Sequence, residues 1–209
     1  TLSVSVTRTF GARWLAQRLG RFWQRYPDID LRLHHSMYRA NLDHDDVDLA
    51  VRWGPGVWEG TVSEYLMPAR LTPVCSPILH VQEVGDLAHQ VLLHETDYQE
   101  WTEWLAVEGA TEIDARRGPI LDDVTAIVEA AVQGGGVTLS LPSLLEHEFQ
   151  AGKLVAPFDR KIGPAHAYYI VYLSGALEQP EIRAFRDFLF DEFERSSDTG
   201  WPRLSATPG

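Results

Sequence analysis

The sequence predicts an α/β protein made of two β-α lobes joined by two crossings of the chain. Three observations carry this. Period-two strands alternate with helical stripes, a proline-bracketed extended piece separates two such series, and 209 residues exceed the usual size of one domain. The composition is 44% hydrophobic and 23% charged, ordinary for a soluble globular chain. No apolar run approaches the roughly 20 residues needed to span a bilayer.

Leu2, Val4 and Val6 alternate with polar residues, as do Ile29, Leu31 and Leu33, and then Val47, Leu49 and Val51. Each set predicts a strand with one buried face. Between the first two, Phe10, Trp14, Leu15, Leu19, Phe22, Trp23 and Tyr26 recur at intervals of three to five and stop at Pro27, so one helix is expected there. A β-α-β unit pairs its strands in parallel. A shorter helix over Arg39–Asp45 connects the second strand to the third, which should stop at Arg52 and Trp53 before Gly54.

The prolines of Leu71-Thr72-Pro73-Val74-Cys75-Ser76-Pro77 suit a crossover better than a central strand. A second series then begins. Val91–His94 reads as a strand, Trp101–Glu108 as a helix, Pro119–Leu121 as a strand end, and Asp122–Gln133 as a helix closed by Gly134-Gly135-Gly136. Val137–Leu141 is the next strand and Pro142–Gln150 a helix with proline in its first turn. After a second crossing near Ile162-Gly163-Pro164, His166–Leu173 returns as a strand, Pro180–Arg195 is the last helix, and Ser196–Gly209 is expected to be a loose tail.

A net charge of -12 and a pI near 5.0 oppose attraction to phosphate backbones, so this chain is not expected to hold DNA itself. One cysteine, Cys75, excludes an internal disulfide, and the opening Leu2–Val6 lacks the layout of a secretory signal, which points to the cytoplasm. The common nucleophile, phosphate-loop and zinc templates are all missing from the sequence, so no enzyme, cofactor or metal site is expected. The glycine triplet follows a helix rather than opening one, and closes it instead of cradling phosphate. His34, His35 and His44 with Asp43, Asp45 and Asp46 match no standard metal spacing and read as a solvated connection, as Glu146-His147-Glu148 reads as helix surface.

Four strand ends should meet one crevice, because open α/β sheets bind ligands beyond the carboxyl ends of their strands. They are Thr7-Arg8-Thr9, Arg52-Trp53-Gly54, His94, and Asp122-Asp123-Val124-Thr125. Thr9 reads as a helix N-cap and Asp122 or Asp123 as another, and each has a second reading as a ligand contact. Free N–H groups at a helix start favour an anionic group near Thr7–Thr9, with Arg8 or Arg52 in support. The aspartates then suit an ammonium, so a zwitterion is the expected ligand. Arg13, Arg18, Arg21 and Arg25 on the polar side of the first helix are either a solvated face or a contact with a second copy.

The chain resembles the effector-binding domain of LysR-type transcriptional regulators, in the subgroup with regulators of glycine cleavage and β-lactamase induction. The resemblance rests on Thr9-Phe10 with Arg13-Trp14-Leu15 and Arg18-Leu19, on Pro27–Leu31, on Val47–Gly54 and on Pro73–Pro77. It continues through Leu92-Leu93-His94, Gly118-Pro119 with Asp122, Glu129-Ala130-Ala131 to Gly136-Val137, Gly152–Val155 and Pro157-Phe158. It implies two Rossmann-like lobes of the type 2 periplasmic-binding-protein kind, lobe I over 1–72 and 165–195 and lobe II over 73–164. It implies a small-molecule effector in the cleft, a homodimer that becomes a tetramer in the full-length form, and a winged helix-turn-helix domain before Thr1 that contacts DNA. The first helix and its arginines would lie at the dimer contact. Family pocket positions fall on Thr7–Thr9, Tyr38, Arg52–Gly54, Asp122–Val124 and Tyr168, the last of which also suits plain sheet packing. Asp123-Val124 departs from the small hydroxylated residues common in the subgroup. The expected function is effector sensing that controls DNA binding; the alternative is a stand-alone solute-binding protein for an amino acid or small carboxylate.

Overall fold

A computed structural model describes residues 1–35, 47–163 and 166–197. The described parts of Thr1–Ala69 and Pro164–Thr199 form one compact unit, and Arg70–Gly163 forms a second. The expected helix at Arg39–Asp45, the pocket position Tyr38 and most of the expected tail lie outside the described residues.

In the first unit, β1 (Leu2–Val6), β2 (Leu31–His35), β3 (Leu49–Gly54), β4 (Thr61–Pro68) and β8 (Ala167–Leu173) make one sheet in the order β2-β1-β3-β8-β4. β1 runs parallel to both β2 and β3, pairing Leu2 with Leu31 and Val4 with Leu49, as a β-α-β unit requires. β8 is the returning strand and pairs antiparallel with β3 and β4. Leu2, Val4 and Val6 are each at most 1% exposed and Ser5 on the opposite face is 4% exposed, so the alternation marks an apolar and a polar face rather than a buried and an open one. The edge strand β4 was not among the expected strands.

Where one continuous helix was expected after β1, three pieces are found. A short α1 (Arg8–Phe10) runs into a π-helical turn over Gly11–Leu15, and α2 (Leu19–Arg25) follows. The wider turn leaves Phe10, Trp14 and Leu15 all fully buried, with Phe10 stacked on Trp14 at 4.9 Å. Phe22 of α2 then meets Phe185 and Phe188 of α6 (Pro180–Ser197) at 5.2 and 5.1 Å, closing the apolar core of this unit.

The second unit is built on a three-stranded sheet, β5 (Thr72–Val74), β7 (Val137–Ser140) and β6 (Leu92–Leu93) in that order. Alternate residues feed two cores. Leu92, Val137 and Leu139 pack with Trp101, Trp104 and Leu105 of α3 (Gln99–Glu108), whereas Val74 and Leu93 pack with Ile127, Val128 and Ala131 of α4 (Val124–Val132) and with Phe149 of α5 (Glu146–Gln150). Both buried indoles are satisfied, Trp101 Nε1 donating to Leu93 O at 3.1 Å and Trp104 Nε1 to Arg160 O at 3.2 Å. Gly118 takes φ +121°, and a Cβ there would collide with the Leu92 carbonyl oxygen, so this loop can pass β6 only as glycine.

Candidate functional site

In the first unit the chemistry-bearing residues gather where β1 and β3 end and β8 begins. Thr7 leaves β1 in an extended conformation, and its Oγ1 accepts a hydrogen bond from Phe10 N at 3.3 Å. The N-cap is therefore Thr7 and not Thr9, because the helix starts directly after the strand and Thr9 already lies in its first turn. Arg8 is exposed and Thr7 and Thr9 are half-buried.

β3 carries Arg52 and Trp53 at its end, as expected, and runs one residue further to Gly54, with Arg52 opposite Tyr169 and Trp53 opposite Tyr168. Antiparallel pairing with β8 extends the ladder to Gly54. Since neighbouring strand residues face opposite sides, the two side chains part company. Arg52 stands over the Trp58 ring at 5.7 Å, while Trp53 meets Tyr168 edge-on at 5.2 Å. Tyr168 is 4% exposed and tilts against Phe10 at 5.3 Å. Phe10, Tyr168, Trp53 and then His166, at 6.1 Å from Trp53, make an aromatic row beside Thr7–Thr9.

In the second unit, Asp123 is the N-cap of α4, its Oδ1 accepting from Ala126 N at 2.9 Å. Asp122 precedes it with an exposed side chain, and Val124 begins the helix. His94 lies inside this unit at 2% exposure, its ring edge-on to Tyr98 at 4.7 Å. Burial lowers its pKa against the opposing pull of the Arg117 and Asp97 backbone, so the ring is held neutral.

The residues that sequence reasoning missed are Glu95 and Glu100. Desolvation raises the Glu95 carboxyl although its side chain reaches the surface, and the charges of Asp122 and Asp123 add to the effect. Glu100, half-buried in the first turn of α3, is pushed up to about 7 by burial and by Glu95, Asp97 and Glu103. The signal was present as four acids at positions 95, 97, 100 and 103, but only folding brings Asp122 and Asp123 to them.

The arginines divide. Arg18 is 4% exposed, donates from Nη1 to Trp14 O at 2.9 Å, stacks over the Trp14 ring at 4.4 Å and stands 3.8 Å from Glu192. Its place on an open polar face is thereby corrected, since the break before α2 turns it inward. Arg21 pairs with Glu192 and Arg25 with Asp191, both on α6; Arg13 is half-buried. Cys75 is buried and its thiol is pushed up to about 12 by desolvation, which keeps it unreactive.

The family described as LysR substrate binding domain matches residues 1–194. The chain belongs to that family. Among its curated relatives, the glycine cleavage system transcriptional activator of Escherichia coli (strain K12) is 34% identical over 193 residues, 90% of this chain and 63% of that protein. The HTH-type transcriptional activator AmpR of Providencia stuartii is 35% identical over 198 residues, 93% of this chain and 66% of that protein. This LysR-family chain thus spans less than two thirds of those relatives. Its fold matches the effector domain of the transcriptional regulator AmpR of Pseudomonas aeruginosa with a TM-score of 0.80 at 30% identity, covering 95% of this chain and 97% of that one. The AmpR effector binding domain from Citrobacter freundii gives 0.79 at 28% identity, with 93% and 98% covered. The two-lobed periplasmic-binding-protein-like fold follows from these matches.

Proposed function

We propose that this LysR-family domain is the effector sensor of a transcriptional regulator, acting in the cytoplasm as a homodimer and reaching DNA through a winged helix-turn-helix domain supplied by the longer protein. The observation that carries the reading is the family match over 1–194 together with relatives whose names are those of transcriptional activators and not of transporters' binding proteins or enzymes. The chain's own charge of -12 agrees with leaving DNA contact to another domain.

The effector is a small amino-acid-like metabolite. In the first unit Thr7, Arg8 and Thr9, with Trp53 and Tyr168 beside them, suit a carboxylate; in the second, Asp122, with Glu95 next to it, suits an ammonium. Desolvation raises the Glu95 carboxyl and the charges of Asp122 and Asp123 add to it; an ammonium placed among the three relieves that added repulsion, so binding there has an electrostatic gain built in. The switch then follows from whichever state binds the effector more tightly, since a ligand moves an equilibrium only by its differential affinity.

Calorimetry across amino acids and small carboxylates tests this. Thr9→Ala and Asp122→Ala are the informative variants because neither residue caps a helix, so a lost contact is read without a lost fold. Each is expected to weaken binding of the effector about tenfold, the effect of a lost charge-assisted hydrogen bond. Unchanged affinity in both variants would remove these residues from the site.

A further inference from the structure

Three cations of the second unit line a recess of about 690 Å³ that none of the proposed effector contacts lines; its walls are Arg70, Glu108, Pro157, Phe158, Asp159, Arg160 and Lys161. The loop that forms it is held from below. Thr72, 1% exposed, donates from Oγ1 to Phe158 O at 3.3 Å and Arg160 O at 3.0 Å, and Trp104 Nε1 donates to Arg160 O at 3.2 Å. The Phe158 ring lies against Trp104 at 5.3 Å, and Leu71 and Ile162 exchange backbone hydrogen bonds of 2.8 and 2.9 Å just beyond. Backbone order is therefore supplied by the core, and the side chains of Arg70, Arg160 and Lys161 are left exposed around the recess.

Arg160 is oriented as well as displayed. Glu108 Oε1 accepts from its Nε at 2.8 Å, which fixes the guanidinium plane and uses one edge of the fork. Its terminal amino groups have no hydrogen-bond partner among the described residues, and Arg70 and Lys161 meet no carboxylate among them. Glu108 is committed to Arg160. In a chain of net charge -12 with only two lysines, three cations against the carboxylates of Glu108 and Asp159 leave this hollow with one positive charge in excess, a local reversal of sign. At physiological ionic strength the surrounding negative field is screened within about 8 Å, so the near groups decide what binds.

We propose that this recess is an oxyanion site for the phosphoryl group of a small metabolite, separate from the effector contacts. A guanidinium offering its terminal pair of N–H donors matches two oxygens of a tetrahedral dianion, and the two further cations suit its second charge. A monocarboxylate fills only part of this. The Phe158 and Pro157 wall accepts the carbon part of an ester.

The test is calorimetry on the 209-residue chain in a phosphate-free buffer at constant ionic strength, titrating inorganic phosphate, glycerol 3-phosphate and acetate in turn. Phosphate or its ester is expected to bind at least tenfold more tightly than acetate, by about 1.4 kcal/mol. Tighter binding of glycerol 3-phosphate than of phosphate assigns the site to esters, and equal binding to free phosphate. Arg160→Ala is expected to weaken phosphate binding about tenfold, Arg160→Lys to restore little of it, and Arg70→Ala with Lys161→Ala to weaken it by a similar factor. All three side chains are exposed, so unfolding temperatures should hold, while Lys153→Ala, which removes an exposed cation of the same unit outside the recess, should leave phosphate binding unchanged even if the effector assignment fails. Equal binding of acetate and phosphate, or phosphate binding indifferent to Arg160→Ala, would overturn the proposal.

Discussion

Thr7 and Asp123 each do a structural task at a position where a ligand contact was expected, and the two tasks can be separated by measurement. Both accept a hydrogen bond from the backbone three residues on, Phe10 N and Ala126 N. Removing either cap should cost about 1 kcal/mol in urea unfolding, whereas Thr9→Ala and Asp122→Ala should cost a few tenths at most. Had the sequence alone guided the choice, Thr9 would have been the cap variant, because threonine before an apolar stripe looks the same at either position. The deciding fact is where β1 ends, a backbone property set by pairing with β2 and β3 and not by local residue type.

Glu100 gives the residue scale a pH signature. Its folded carboxyl stands near 7 against an ordinary 4.5, so the folded state holds a proton that the unfolded state has released between those values. Stability contributed by this group is present below pH 4.5 and is lost as pH rises to 7, with no further change above. Glu100→Gln should remove that slope and, after allowance for solvent screening, raise stability at pH 8 by roughly 1 kcal/mol in denaturant unfolding. A variant as pH-sensitive as the parent between 4.5 and 7 would show that burial and the neighbouring acids do not raise the Glu100 carboxyl.

At the scale of elements, the apolar patterns translated well and the polar ones less so. Strands β1, β3 and β7 and helices α3, α4 and α6 lie near where period and punctuation placed them, because their apolar residues form a local repeat or run that needs no knowledge of the partner. β4 escaped because Thr61–Pro68 breaks its alternation at the irregularity between Tyr65 and Met67 and pairs with β8, whose Ala167–Leu173 lies far along the chain. The first helix hid its π turn for a related reason, since Phe10, Trp14 and Leu15 fit a helical stripe whether the turn is α or π. The arginine face was legible as charge but not as pairing. Glu192 on α6, 2% exposed, gathers Arg18, Arg21 and Arg195 from α6 and from the helix beside it. Glu192→Ala strands the buried Arg18 and should lower unfolding stability by about 3 kcal/mol, while Arg195→Ala at the surface should cost under 1.

For the molecule as a whole, family membership was readable from spaced motifs spread over most of the chain, while the contents of the effector site were not. Tyr168 shows why: the same side chain packs Phe10 and Trp53 and stands among the proposed contacts, and sequence cannot weigh one role against the other. The acidic group of Glu95, Glu100, Asp122 and Asp123 was invisible for the opposite reason, being assembled from two segments by the turn that carries Pro119 past β6. A homodimer predicts a sedimenting species of twice the 23.6 kDa chain mass, and Arg13→Glu should shift it toward monomer.

The most direct test is a pair of amide spectra of this domain with and without the amino acid that binds tightest. Resonances of Thr7–Phe10 and of Asp122–Val124 are expected to shift together along one binding curve. Shifts confined to one of the two sets, or to neither, would contradict it.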